Sequence, residues 1–429
     1  MSTKLELLAP AKNLQTGIAA IKHGADAVYI AADKFGAREK AGNSLEDIKT
    51  LVEFAHLYFA RVYVTVNTIL FENELADVKY LIERLYDINV DAIIIQDFAI
   101  LNMGIPPIAI HASTQMHNHT PEKIKFLESC GIERIVLPRE LNISEIEILK
   151  NVTTSELEFF IHGALCVCYS GQCYMSYALG GRSANRGQCA QPCRKPYTLL
   201  DPAGSVLEKE RHWLSIKDLN QTASLGALLE AGVSSFKIEG RLKNQAYVAN
   251  VVAHYRTELD RLLPDFGFRK SSSGSCQTPF QPNPEKTFNR GYTSYFLHGR
   301  QQPIGSSDTP KMTGEALGRV TAMQGSRICL DSGASLRPGD GICFFDAQGE
   351  LRGSQIVAVD GPLVSLDKPE ELTKGMAVFR NYDHAFHKTL TNQRPQRCIR
   401  VHLTVSETTE GLCLAARDED GVFVEEKML

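Results

Sequence analysis

Residues 158–194 read EFFIHGALCVCYSGQCYMSYALGGRSANRGQCAQPCR, an apolar run followed by the densest group of cysteines in the chain. Five of the eleven cysteines lie in this stretch: Cys166, Cys168, Cys173, Cys189 and Cys193. Even scattering over 429 residues would place fewer than one cysteine between positions 166 and 193. Such clustering indicates a shared role for these thiols rather than independent burial of each one.

The composition is that of a globular protein with enough apolar material for a large core, 43% hydrophobic and 22% charged. The N-terminal sequence MSTKLELLAPAKN lacks the features of a signal peptide, and no apolar run of about 18 residues predicts a membrane span. We therefore expect a cytoplasmic protein without a membrane partner, in which disulfides are rare. Because the net charge is −4, a nucleic-acid partner would have to bind a local basic patch.

When Cys168 is set aside, the cysteines follow the spacing C-x6-C-x15-C-x3-C. Structural zinc sites usually contain two short cysteine pairs, and only Cys189 and Cys193 form such a pair here. An iron–sulfur cluster also takes four thiolates and tolerates irregular spacing. A catalytic cysteine with His162 as its base needs one thiol and leaves the others unexplained. The residues favour an iron–sulfur cluster, with zinc and a cysteine nucleophile as open alternatives.

Short apolar runs alternate with amphipathic segments through the first 265 residues, which predicts parallel βαβ units. Eight strands in about 260 residues match the size of a (β/α)8 barrel. The sequence therefore predicts an α/β fold, a TIM-like barrel over residues 1–265 with a cysteine-rich insertion at 163–211; an open doubly wound sheet is the alternative. The predicted strands are Leu5–Ala9, Ala27–Ala31, Val62–Val66, Ala92–Gln96, Ile108–Ala112, Arg134–Leu137, Leu157–Ile161 and Phe236–Glu239. The predicted helices are Leu14–His23, Ser44–Phe59, Glu74–Asn89, Pro121–Cys130, Ser144–Lys150, Leu219–Ala231 and Lys243–Leu263.

Polar residues follow the predicted strands at the ends where the active sites of such barrels lie. They are Asp33, Asn67, Asp97, Ser113, Thr114, Gln115, Arg139, Glu140, His162, Glu239 and Arg241. The insertion follows the seventh strand, so we expect it to lie over the same mouth. We predict His162, Glu239 and Arg241 as catalytic residues, with His162 and Glu239 transferring protons. A structural ion pair is the alternative for Glu239 and Arg241.

The composition changes beyond the barrel. Residues 266–312 are rich in Ser, Pro and Asn and are predicted to form a linker. Short apolar runs separated by turns such as GDG and AQGE predict a small all-β barrel over residues 313–384. Residues 385–429 are predicted to be the start of a further, incomplete β-containing region, to which we assign no function.

Several motifs resemble those of the collagenase-like peptidase family U32. The longest is Glu158-x-Phe160-x2-Gly163-Ala164-Leu165-Cys166-x4-Gly171-x-Cys173-x-Met175-Ser176. Further matches are LLAPA at 7–11, GADAVYIA at 24–31, HASTQM at 111–116, RGQCAQPCR at 186–194 and FKIEGRLK at 236–243. The resemblance covers about residues 5–300, and the small β domain is similar to one found in longer members. Within the family, the chain most resembles the branch that hydroxylates cytidine in large-subunit ribosomal RNA.

This resemblance implies an iron–sulfur-dependent hydroxylase that works without molecular oxygen and forms 5-hydroxycytidine in 23S ribosomal RNA. It implies a 4Fe–4S cluster bound by Cys166, Cys173, Cys189 and Cys193, with prephenate as the small-molecule oxygen donor. A sister branch implies an alternative, hydroxylation of wobble uridine in transfer RNA. The family name implies a second alternative function, a collagenase-like peptidase with a cysteine nucleophile. The sequence contains no HExxH or G-x-S-x-G motif that would support a proteolytic mechanism. A third class is a zinc-stapled binding module that only docks on RNA.

Basic residues surround the cysteines and follow the eighth predicted strand. They are Arg182, Arg186, Arg194, Lys195, Lys237, Arg241 and Lys243. Such groups suit RNA phosphates or the two carboxylates of prephenate, and they would also offset the negative charge of a thiolate-bound cluster. We predict Arg182, Arg186 and Lys237 as cofactor-binding residues.

Overall fold

The computed structural model describes residues 4–37, 42–300, 303–331, 333–369, 371–392, 394–408 and 411–428. Strands and helices alternate through its first 163 residues. The strands are β1 (Lys4–Pro10), β2 (Ala27–Ala32), the two-residue β3 (Gly42–Asn43), β4 (Arg61–Val66), β5 (Ala92–Ile95), β6 (Ala109–Ala112), β7 (Arg134–Val136) and β8 (Glu156–Gly163). The helices are α1 (Leu14–Lys22), α2 (Leu45–His56), α3 (Leu75–Asp87), α4 (Pro121–Ser129) and α5 (Ile143–Lys150).

Side-chain caps fix where these helices begin. Asn13, Ser44, Thr120 and Asn142 each accept a hydrogen bond from a backbone N–H of the following first turn. Such caps satisfy donors that the helix itself leaves unpaired. Between β5 and β6 only a short 3-10 helix, Phe98–Asn102, forms. The following Gly104 has φ +61° and precedes Ile105-Pro106-Pro107, which prevents continuation of the helix.

The chain after β8 forms the insertion and then completes the barrel. Its elements are α6 (Met175–Gly180), β9 (Tyr197–Leu200), β10 (Val206–Arg211), β11 (Asp218–Asn220), α7 (Leu225–Glu230), β12 (Ser235–Ile238) and α8 (Gln245–Phe266). β9 and β10 form an antiparallel hairpin, and β11 pairs antiparallel with the end of β8. The helix predicted from Leu219 therefore begins later, at Leu225, because residues 218–220 extend the sheet instead.

Eight parallel strands close into a barrel. Their order is β1-β2-β4-β5-β6-β7-β8-β12, and β12 pairs with both β8 and β1. Each of the eight predicted strands overlaps one of these, so the predicted TIM-like barrel is confirmed. The main core lies between the strands and the surrounding helices, where Leu7, Ile30, Val64, Ile93 and Phe159 are completely buried.

The segment predicted as a linker, residues 266–312, packs along the barrel. Its strands are β13 (Arg269–Lys270), β14 (Ser275–Gln277) and β15 (Tyr292–Thr293). β13 pairs in parallel with β1, and β15 pairs in parallel with β11. The side-chain amide of Asn250 on α8 makes two hydrogen bonds with the backbone of Asn283. Asn250 Nδ2 donates to the Asn283 carbonyl oxygen at 2.6 Å, and Asn250 Oδ1 accepts from the Asn283 N–H at 2.8 Å. Leu297 is 1% exposed and belongs to the main core. Composition marked this segment as irregular, but specific hydrogen bonds hold it in place.

A second, smaller barrel follows. Its strands are β16 (Glu315–Gln324), β17 (Arg327–Leu330), β18 (Gly341–Phe345), β19 (Leu351–Asp360), β20 (Leu363–Leu366) and β21 (Ala377–Tyr382). They pair antiparallel in the closed order β16-β17-β20-β19-β18-β21. The predicted all-β barrel is confirmed.

The last part of the chain begins with a helix that the sequence did not predict. Its elements are α9 (His384–Asn392), β22 (Gln396–Cys398), β23 (Val401–Thr408), β24 (Gly411–Asp418) and β25 (Phe423–Met428). β22 pairs with β14, and β23, β24 and β25 form a three-stranded antiparallel sheet. Among the described helices, none combines the length and the apolar character that crossing a membrane requires.

Candidate functional site at the barrel mouth

A cavity of about 350 Å³ opens at the C-terminal ends of the barrel strands. Its floor consists of side chains that point into the barrel, among them Tyr29, Thr65, Phe160 and Lys237. Residues of the insertion between positions 164 and 194 form its wall. The insertion thus lies over the mouth, where the sequence placed it.

All five cysteines of the insertion line this cavity. None of the five forms a disulfide, and Cys166 and Cys189 are exposed. Burial raises the pKa of Cys193, which is within electrostatic reach of Cys166, Cys189 and Cys173. A hydrogen bond with Cys166, and then burial, raise the pKa of Cys168. The structure therefore gathers the four predicted ligands, together with Cys168, around one space.

The loop from Cys168 to Cys173 is held tightly against the barrel. Gly171 has φ +73°, and a Cβ there would lie 1.9 Å from the carbonyl oxygen of Gln115. Only glycine allows this approach of two backbones. Glu140 accepts hydrogen bonds from the Ser170 N–H and, at 3.0 Å, from the Ser170 hydroxyl. These contacts fix the cysteines relative to the strand ends.

Cys189 already has hydrogen-bond donors around its sulfur. The N–H of Gln191 donates to Cys189 Sγ at 3.4 Å, and the hydroxyl of Ser176 lies 3.9 Å from the same atom. The Ser176 oxygen also accepts from the N–H of Ala190 at 3.1 Å. These contacts connect the Cys189 sulfur to α6 and to the backbone that follows it.

Within the described ranges, no three His, Cys, Asp or Glu side chains are arranged to hold a single metal ion. A single zinc ion would require ligand atoms at about 2.0–2.3 Å from one point. The thiols surround the cavity without converging in this way.

Lys237 connects the floor of the cavity to buried charged side chains in the barrel interior. Lys237, which is 4% exposed, donates to Glu158 Oε1 at 2.6 Å. The other carboxylate oxygen of Glu158 lies 3.3 Å from the guanidinium of Arg134, which also pairs with Glu6. Burial lowers the pKa of Lys237, and Glu158 partly opposes this effect. Lys237, predicted to bind a cofactor, therefore faces the cavity with one fixed anionic partner.

The predicted catalytic residues Glu239 and Arg241 also line the cavity. Glu239 Oε2 lies 3.7 Å from Arg139 Nη2, and Arg241 donates to the Thr65 hydroxyl at 2.8 Å. Arg139 is further held by the carbonyl oxygen of Ala164 at 3.0 Å. The structure thus places one carboxylate and two guanidinium groups at neighbouring strand ends.

The two other residues predicted to bind a cofactor are separated. Arg182 is exposed, lines the cavity and donates to the carbonyl of Gln188 at 3.1 Å. Arg186 is not among the lining residues. It forms a bidentate pair with Glu74, at 2.6 and 2.9 Å, and donates to the carbonyl of Ile69. Arg186 therefore anchors the insertion to the loop after β4.

His162 lies outside the cavity. β8 and β12 pair in register up to Phe160 opposite Lys237, and a bulge then sets His162 opposite Ile238. In a regular strand His162 would point into the barrel, as Phe160 does. The bulge adds one residue to β8 between them, so the His162 side chain points outward instead. Its Nδ1 lies 3.2 Å from the hydroxyl of Tyr255, and burial lowers the pKa of His162 to about 3. His162 is thus a neutral core residue in this structure.

Tyr29 and Arg290 are two of the lining residues that the sequence analysis did not single out. Tyr29 faces the cavity from the middle of β2 and donates to the carbonyl of Ile238 at 2.9 Å. Arg290 comes from the segment predicted as a linker and pairs with Asp218 at 2.8 Å. An alternating inward face on β2 was a usable signal for Tyr29, whereas nothing in the local sequence places Arg290 at the mouth.

Comparison with known proteins relates most of the chain to one family. The model described as peptidase family U32 matches residues 12–307. The protein named "23S rRNA 5-hydroxycytidine C2501 synthase" of Escherichia coli strain K12 is 45% identical across 99% of this chain and 66% of its own length. "tRNA hydroxylation protein P1" of Bacillus subtilis strain 168 is 38% identical across 62% of this chain and 65% of its own length. The chain therefore spans about two thirds of the length of these two relatives.

A third relative carries a different name. "Collagenase" of Porphyromonas gingivalis strain ATCC BAA-308 / W83 is 29% identical across 86% of this chain and 89% of its own length.

Proposed function

We propose that this chain, which belongs to peptidase family U32, is an RNA hydroxylase that forms 5-hydroxycytidine in 23S ribosomal RNA. The observation that carries the proposal is the cavity at the barrel mouth, where thiols and basic side chains face one space. Its support from sequence is the 45% identity, across 99% of the chain, with a relative named for this product. Since ribosomal RNA is the proposed substrate, we place the protein in the cytoplasm.

We propose Cys166, Cys173, Cys189 and Cys193 as the ligands of a 4Fe–4S cluster. Four cysteines that line one cavity and form no disulfides are the donor set that such a cluster takes. Each thiolate binds a separate iron atom, so the ligands need not converge on one point as they would around zinc. When bound, the cluster would supply electron transfer at the mouth of the barrel.

The substrate base has to leave its stack to reach the cavity, because a ring carbon is inaccessible inside a helix. A volume of about 350 Å³ is at the small end of small-molecule sites. It suits a single pyrimidine rather than a folded segment of RNA. We propose that Glu239, whose Oε2 lies 3.7 Å from Arg139 Nη2, takes the proton that leaves C5 of cytosine.

Replacing the C5 hydrogen by a hydroxyl group is a two-electron oxidation, so an oxygen donor that is itself reduced has to share the site. The C5–H bond and a C–O bond of the donor break and a C5–O bond forms; the donor keeps the electron pair and takes up the proton that Glu239 removed. We propose prephenate in this role, as the resemblance to the family implies. Its two carboxylates match guanidinium groups, which bind carboxylates in bidentate fashion. Arg139 and Arg241 at the strand ends and Arg182 at the rim are the proposed contacts, because all three line the cavity.

Two alternatives follow from the names of other relatives. Hydroxylation of transfer RNA uses the same site and is suggested by the Bacillus subtilis relative. A thiol peptidase, suggested by the name collagenase, needs a base beside its nucleophile. Among the described residues that line the cavity none is a histidine, and the lining carboxylate Glu239 lies beside Arg139. The geometry therefore gives the peptidase less support.

Nucleoside mass spectrometry of ribosomal and transfer RNA tests the proposal. A strain lacking the gene should lose 5-hydroxycytidine from 23S ribosomal RNA, and the wild-type chain should restore it. The Cys189→Ser variant should not restore it, whereas Cys276→Ser, outside the cavity, should. Loss of a hydroxylated uridine from transfer RNA instead would establish the first alternative. Unchanged RNA together with thiol-dependent cleavage of gelatin would overturn the proposal in favour of the second.

A further inference from the structure

Three exposed tyrosines stand beside the cavity on the cysteine-rich insertion. Tyr169, Tyr174 and Tyr177 are 55%, 60% and 63% exposed. Tyr169 precedes Ser170 and Tyr174 follows Cys173, and both of these neighbours line the cavity. Large apolar side chains scattered singly over a surface are ordinary, but these three lie within nine residues at one opening. We call them the tyrosine rim.

The rings of the rim form two groups. Tyr174 immediately precedes α6, and Tyr177 lies three residues later, so both project from the same side of that helix. Tyr169 contacts the ring of His117 edge-on at 5.7 Å, and His117 in turn packs on His119 at 4.0 Å. Aromatic faces thus border the cavity on the insertion and on the loop after β6.

The charge around the rim selects the kind of partner. Residues 163–195 contain Arg182, Arg186, Arg194 and Lys195 and no acidic residue. Arg182 bonds to a carbonyl oxygen, and Arg194 bonds to two carbonyl oxygens and the Ser215 hydroxyl. Among the residues that the structure describes, Arg186 is the one of these three arginines that pairs with a carboxylate. Aromatic rings interleaved with positive charge suit a polyanion that exposes flat apolar faces.

We infer that the tyrosine rim binds unpaired RNA nucleotides next to the target base, each stacked on a tyrosine ring. The inference rests on the proposed function and specifies how its substrate is held. Aromatic rings stack well on single-stranded bases, whose faces are open, whereas a duplex hides them. The basic residues would contact the phosphates between these bases. The protein therefore selects a single-stranded or splayed-out RNA segment.

The test is the affinity of the full-length chain for a short labelled single-stranded oligoribonucleotide and for the same sequence as a duplex. Tyr177→Ala and Tyr174→Ala should each weaken single-strand binding about tenfold, while Tyr177→Phe and Tyr174→Phe retain wild-type affinity. Tyr80→Ala is the matched control, since Tyr80 is 64% exposed on α3. Circular dichroism and thermal melting of each variant establish that the fold is intact.

The outcomes separate the inference from the proposed function. If the wild-type chain binds single-stranded RNA and both alanine variants bind equally well, the inference is overturned and the proposed function stands. If the wild-type chain binds no RNA at all, both fail. If the alanine variants instead change only the oligomeric state, measured by light scattering, the rim is a protein interface and the inference is likewise overturned.

Discussion

The two closed barrels of this chain differ in what fills them. The interior of the large barrel combines apolar side chains such as Tyr29 and Ile94 with the charged groups of Glu6, Arg134 and Lys237. The hydrophobic core of the small barrel consists of Leu317, Val320, Ile328, Ile342, Phe344, Ile356, Val364, Leu366, Leu372 and Val378. Its buried charged side chains Arg380 and Asp340 pair with each other at 3.3 Å and do not line the cavity at the mouth of the large barrel. Buried charges cost free energy of desolvation that apolar packing avoids. In the large barrel the buried charges continue to the cavity through Lys237, so we expect the large barrel to hold the site and the small barrel to serve as a support.

The largest loss of stability should follow removal of the Glu158 carboxylate, which pairs with both Lys237 and Arg134 inside the large barrel. Glu158→Gln leaves Lys237 and Arg134 buried with one partner fewer, so the free energy of unfolding should fall by about 3–5 kcal/mol. Urea denaturation measures this change. Asp77→Asn breaks an exposed pair with Lys34 and serves as the control. An equal, small effect of both substitutions would contradict the account of the interior.

Truncation in the small barrel should reduce stability while sparing the chemistry. Ile342 is 1% exposed, and Ile342→Ala should cost about 3 kcal/mol through lost burial and a cavity. Because the residue lies in the other barrel, the 5-hydroxycytidine formed per folded molecule should match that of the wild type. Thermal melting and nucleoside mass spectrometry measure the two quantities. A loss of 5-hydroxycytidine that exceeds the loss of folded protein would contradict the assignment of the small barrel as a support.

The large barrel should also carry a pH dependence through His162. Its pKa in the folded chain is about 3, below the usual value of 6.5. The unfolded chain therefore binds the proton first, and the stabilisation present above pH 6.5 is lost as the pH falls toward 3. Between pH 7 and pH 5 this contribution amounts to about 2 kcal/mol.

Unfolding of the wild type and of His162→Gln at several pH values measures this contribution. The variant should have the shallower decline on acidification, and His402→Gln in the exposed final sheet should behave like the wild type. Parallel curves for wild type and His162→Gln would show that the histidine does not resist protonation in the fold.

The smallest effect on stability should come from breaking the Arg186–Glu74 ion pair, which anchors the insertion. Arg186 and Glu74 have side chains that are 27% and 22% exposed. After allowance for solvent screening, their coupling should be at most about 1 kcal/mol. A double-mutant cycle with Arg186→Gln and Glu74→Gln measures it. A coupling of several kcal/mol would mean that the pair belongs with the buried charges and not with the surface.

Local patterns predicted most of the large barrel. Apolar runs such as Val62–Val66 and caps such as Thr120 encode strands and helix starts within a few residues, so all eight strands were located. The site was predictable where a local pattern marks it: the cysteines are clustered in one short stretch, and Glu239 and Arg241 follow a recognisable strand. All of them line the cavity. The prediction of helix from Leu219 failed because pairing of β11 with β8 outweighs local helical preference.

Three features depend on contacts that no local pattern contains. The bulge in β8 turns His162 outward. A prediction based on alternating inward and outward residues does not foresee such an extra residue. Arg186 finds its partner Glu74 far away in sequence, so its anchoring role is invisible from the insertion alone. Arg290 reaches the mouth from a segment whose composition suggested a linker.

The measurement that tests the central claim most directly is the iron and sulfide content of anaerobically purified protein, together with its visible absorption. We expect about four iron atoms and four sulfides per wild-type chain. Cys173→Ser should lose them, and Cys329→Ser in the small barrel should keep them. A colourless wild-type protein without iron, or equal iron in both variants, would contradict the assignment of the cluster to the barrel mouth.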